Sequence, residues 1–93
     1  MNHDLSQLRT RIDQLDAILI HTLAERFRQT EKVGEIKAMG GLPPLDETRE
    51  ASQRARIQAL AKDTGLDPDL ALQILTLVVD RVKENHRKIS KDQ

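Results

Sequence analysis

The chain of 93 residues has no cysteine, no tryptophan, no tyrosine and a single phenylalanine, Phe27. Without cysteine there is no disulfide, no thiolate nucleophile and no sulfur ligand for a metal, which suits a reducing compartment. A single aromatic residue offers no set of platforms for successive nucleic-acid bases, which argues against base stacking as a mode of recognition. An excess of charge of either sign is also missing: fifteen Lys and Arg balance fifteen Asp and Glu. There is thus no global basic field to draw in nucleic acid, and no acidic tail. The stretch Met1–Arg11 is polar and charged, and no apolar run reaches signal-peptide or transmembrane length. A cytoplasmic protein with neither membrane nor nucleic acid as partner is expected.

Glycine and proline are scarce too, at four and three, and their placement organises the rest. The chain is rich in Leu, Ala, Gln, Glu, Lys and Arg, all strong helix formers, so the expected fold is all-α, a single domain over residues 1–93. A first, very long helix runs from about Asp4 to about Met39, where Gly40, Gly41, Pro43 and Pro44 stop it. Gly34 lies inside it, at a place that suits close backbone approach. A second helix starts near Asp46, a residue type that caps helix N-termini, and extends to about Thr64. Gly65-Leu66-Asp67-Pro68 then supplies a C-terminal glycine, an N-cap aspartate and a first-turn proline in succession. The third helix carries Leu70, Ile74, Leu75, Val78, Val82 and Ile89 and ends near Ser90.

Along the first helix Leu5, Leu8, Ile12, Leu15 and Leu19 recur at steps of three and four, the pattern of a face packed on another helix. The seam continues through Thr22 and Leu23, then Arg26, Thr30, Val33 and Lys37. At about 100° per residue, Arg26 and Lys37 lie only about 20° apart around the axis. Either cation alone can be read as a snorkelling residue that buries its stem and keeps its head in water. Two on one stripe point into one interior, where burial without counter-charge would cost several kcal/mol each. The pattern therefore implies that something anionic meets them.

Length adds a constraint on assembly. A helix of roughly 36 residues is about 54 Å long at 1.5 Å per residue, whereas a compact chain of this size has a radius of gyration of about 12 Å. Such a helix cannot be covered by its own chain. An intertwined homodimer solves this, with two long helices side by side and each subunit's shorter helices covering the other's exposed stripe. It also lets Arg9 of one subunit join Arg26 and Lys37 of the other.

Four blocks in order carry a family resemblance: Leu8-Arg9-Thr10-Arg11-Ile12-Asp13-Gln14-Leu15-Asp16, Leu23-Ala24-Glu25-Arg26, Val33-Gly34-Glu35-Ile36-Lys37 and Asp46-Glu47-Thr48-Arg49-Glu50. Together they resemble the all-helical chorismate mutases over about residues 5–90. The resemblance implies an intertwined homodimer with two equivalent sites that rearranges chorismate to prephenate, toward phenylalanine and tyrosine, with no cofactor and no metal. It further implies that Arg26 and the partner's Arg9 clamp the substrate's two carboxylates. Lys37 would contact a carboxylate and the ether oxygen. Glu50 would accept a hydrogen bond from the ring hydroxyl, with the backbone around Asp46 helping and Arg49 supporting the cage. Late in the third helix the family commonly places Gln or Glu as a second donor to the ether oxygen, and here His86 stands in that position. Val82 replaces a residue that is polar in some members, so the cage has one donor fewer.

The chemistry asks for these residue types. The rearrangement is intramolecular and pericyclic, so it needs neither a nucleophile nor a general base. What helps is a cage that holds the flexible arm over the ring and donors that meet the charge growing on the ether oxygen. Guanidinium forks suit planar carboxylates, and an imidazole N–H can donate as an amide does. Two other readings stay open on the sequence. One is an isochorismate pyruvate lyase with a similar cationic cage, and the other is a non-catalytic helical dimerisation or metabolite-binding module. No regulatory domain is evident, so allosteric control would require a partner enzyme of the same pathway.

Overall fold

The computed structural model describes residues 2–43 and 46–92, with side-chain surroundings for 4–43 and 46–91. Among the described residues the secondary structure is all helical: α1 (Asn2–Met39), α2 (Glu47–Thr64) and α3 (Pro68–Asp92). At about 1.5 Å per residue, the 38 residues of α1 extend about 57 Å.

Backbone chemistry sets each boundary. At the end of α1 Gly41 takes the left-handed conformation at φ 68°. The Leu42 N–H then donates back to the Lys37 carbonyl at 2.7 Å and the Gly41 N–H to that of Ala38 at 3.2 Å, the paired bonds of a Schellman motif. Gly65, at φ 78°, repeats the device at the end of α2, where the Leu66 N–H donates to the Ala61 carbonyl at 3.0 Å. Gly41 and Gly65 thus do the stopping that the glycine and proline placement implies, while Pro44 lies outside the described residues. Asp46 caps α2, its Oδ1 accepting from the Arg49 N–H at 3.0 Å. Asp67 precedes Pro68 at the start of α3, its Oδ1 accepting from the Asp69 N–H at 3.0 Å.

The chain falls into two compact units, residues 1–30 and 31–93. In the first, α1 presents its seam to solvent: Leu5, Leu8, Ile12, Leu15 and Leu19 are all about half exposed or more. Local bonds stabilise this stretch without covering it. The Thr22 hydroxyl donates to the Ile18 carbonyl at 2.7 Å, and Glu25 accepts from Arg28 at 2.9 Å and from Gln29 at 2.7 Å.

The second unit holds the core, formed by Ala61 of α2 with Ala71, Leu75 and Val78 of α3. Small side chains at 61 and 71 let the two helices approach closely. His86 is buried as well, and it packs against α1. A Cβ placed on Gly34 would sit 2.5 Å from His86 Cδ2 and 3.0 Å from Ile89 Cδ1, so only glycine admits the two α3 side chains here. Close approach is therefore the reason for a glycine inside α1. The apolar residues of α3 divide between two faces. One faces the core, and the other, Leu70, Ile74 and Leu77, remains exposed, Leu77 at 73%.

Candidate active site

The second unit carries site candidates on all three helices. Lys37 lies in the last turn of α1, half-buried, with its own carbonyl tied into the Schellman motif. That bond fixes the backbone from which the side chain springs, and a cation is favoured at a helix C-terminus. Lys37 shares a cleft of about 430 Å³ with Asp46, Glu47 and Thr48. The α2 cap thus stands opposite the α1 terminus across a space large enough for a small anion.

Arg49 and Glu50 occupy the first turn of α2, where the cap orients them. Arg49 is exposed and its backbone N–H is spent on Asp46. Glu50 turns toward α3, where its Oε1 receives Lys83 Nζ at 2.6 Å. Both side chains are about three-quarters buried, with 27% and 23% exposed, so the pair is more shielded than an ordinary surface bridge. The pair borders a second cleft, about 120 Å³, lined also by Gln53, Leu75 and Val79.

His86 lies one turn after Val82 on the inward side of α3; Val82 is half-buried and His86 only 5% exposed. The inward orientation implied by the spacing is thus present, and the edge of the ring bearing Nε2 and Cδ2 faces Gly34. In the first unit Arg9 is exposed, while Arg26 is half-buried with its Nη1 shielded from solvent.

Lys37 and Asp46 therefore line one cleft, and Glu50 borders another. Lys83 is the residue that sequence reasoning misses. The signal was available: Lys83 stands four residues after Val79 and eight after Leu75, a cation on an apolar stripe just as Arg26 is in α1.

The sequence pattern of the family described as chorismate mutase type II matches residues 8–87, a stretch that holds every candidate named above. The chain belongs to the chorismate mutase type II family. It is similar to a chorismate mutase of Methanocaldococcus jannaschii, 30% identical over 83 residues that make up 89% of this chain and 84% of that protein. It is 38% identical over 76 residues to the T-protein of Enterobacter agglomerans; this covers 82% of the chain but 20% of the T-protein. The chain thus spans about a fifth of that longer relative. A 4-amino-4-deoxychorismate mutase of Streptomyces venezuelae is 25% identical over 77 residues, 83% of this chain and 75% of that protein. No helix among the described residues is long and apolar enough to cross a membrane.

Proposed function

We propose that the chain is a chorismate mutase, an isomerase that converts chorismate to prephenate by an intramolecular Claisen rearrangement and acts as a cytoplasmic homodimer. The observation that carries this reading is the family match across residues 8–87, which includes Arg9, Arg26, Lys37, Asp46, Arg49, Glu50, Val82 and His86. The residue types suit the reaction. Substrate and transition state are dianions, and the barrier falls when the enolpyruvyl arm is held over the ring and donors meet the developing charge.

In this mechanism Arg26 and Arg9 of a second subunit bind the carboxylates as planar forks. Lys37 binds a carboxylate and donates to the ether oxygen as its bond to the ring lengthens, and His86 serves as a second donor. Glu50 accepts from the ring hydroxyl and so fixes the ring against the arm. Arg49 adds positive potential at the mouth. The dimer is supported by the exposed seam of α1, since a contiguous apolar stripe of that length is what an interface covers.

Incubating the purified protein separately with chorismate and isochorismate, and following the loss of each with identification of the product, tests the proposal. Chorismate should disappear with formation of prephenate. A folded protein that consumes only isochorismate, releasing pyruvate, or consumes neither, overturns it.

A further inference from the structure

The ion pair between Lys83 and Glu50 joins the first turn of α2 to the middle of α3 at 2.6 Å. It stands beside the residue proposed to read the ring hydroxyl, and it alters what that residue can recognise. An isolated, partly buried carboxylate attracts cations strongly and accepts hydrogen bonds from neutral donors. Once an ammonium occupies Oε1, the net charge of the pair is zero. The carboxylate still has lone pairs for a neutral donor, because it offers about four acceptor sites in all. A second cation brought to Oε2 would face the Lys83 ammonium at short range in a shielded site, where like charges are weakly screened. Arg54 and Asp80, which line the same cleft, carry opposite charges and add no net charge there. The charge that Glu50 presents is thus decided by Lys83.

We propose that Lys83 is a specificity-determining residue: by neutralising Glu50 it sets the site to accept a substrate with a neutral hydroxyl on the ring, and to reject the analogue with a protonated amine in that place. The inference rests on the reading of Glu50 as the acceptor for the ring hydroxyl. The discrimination comes from a repulsive element, as specificity between near-isosteres often does. The ring substituent is a position at which related proteins differ, since the Streptomyces venezuelae relative is named for the 4-amino compound.

The test is to measure kcat/KM for chorismate and for 4-amino-4-deoxychorismate with the wild type, Lys83→Met, Lys83→Gln and Lys83→Arg. The wild type should favour chorismate. Lys83→Met and Lys83→Gln should shift the ratio of the two values toward the amino substrate by about tenfold or more, and Lys83→Arg should keep the wild-type ratio. A purely bracing role for Lys83 would lower both values together. If the ratio stays within about twofold of the wild type in whichever of Lys83→Met and Lys83→Gln folds, the proposal is overturned while the mutase reading stands. If the folded wild type turns over neither substrate, the mutase reading falls and this inference falls with it.

Discussion

Arg26 conflicts with its surroundings at the scale of a single residue, and its proposed role as a carboxylate clamp rests on that conflict. It occupies a seam position of α1 that the flanking leucines reserve for an apolar side chain, and it is half-buried there. Replacing Arg26 with Leu extends the apolar seam and removes the desolvation of a charge. The variant should keep its thermal stability to within about 1 kcal/mol or exceed the wild type. Its kcat/KM for chorismate should fall by about a hundredfold or more, because a charge-assisted clamp on a carboxylate is lost. Unfolding of Arg26→Leu together with full activity in Lys37→Ala would show that these cations serve structure. Arg26 stood out in the sequence because it follows a run of apolar steps from Leu5 to Leu23. Lys83 carries the same signal on the Leu75–Val79 stripe, but Glu84, Arg87 and Lys88 surround it and make its neighbourhood read as a solvated face. Its partner Glu50 lies in another helix, and no local pattern announces a pairing between them.

At the scale of elements, the contact of α1 with α3 depends on the absence of one methyl group. Gly34 admits His86 and Ile89, and an alanine there would place its Cβ 2.5 Å from the imidazole. His86 is buried, so the ring has little room to give way. Overpacking of this kind costs about 1–3 kcal/mol, against the roughly 1 kcal/mol that alanine gains over glycine inside a helix. Gly34→Ala should therefore destabilise in urea unfolding at fixed protein concentration. In a His86→Ala background the same change should cost much less, since the closest clash is gone and only the flexible end of Ile89, 3.0 Å away, has to give way. Stabilisation by Gly34→Ala in both backgrounds would contradict the close approach. Helix boundaries were readable because glycine, aspartate and proline act through local geometry, and Gly65-Leu66-Asp67-Pro68 behaves as written. The inward side of α3 was readable only in part. Periodicity marks Leu70, Ile74 and Leu77 as apolar, and it cannot distinguish a face covered by the same chain from one left exposed.

At the scale of the whole molecule, the exposed seam of α1 and the exposed face of α3 carry the proposal that a second copy completes both packing and site. Arg9 stands one turn after Leu5 on that seam and is exposed in the single chain. The central claim is that each site draws Arg9 from one subunit and Arg26 from the other. Mixing Arg9→Ala with Arg26→Ala under conditions that exchange subunits tests it most directly, each variant being nearly inactive alone. In a mixed dimer one site then carries both defects and the other carries none. Random exchange makes half of the dimers mixed, so about a quarter of the wild-type chorismate mutase activity should return. If Arg9 serves the site of its own chain, every site in the mixture carries one defect. Activity would then stay at the level of the separate variants, and the account would be contradicted.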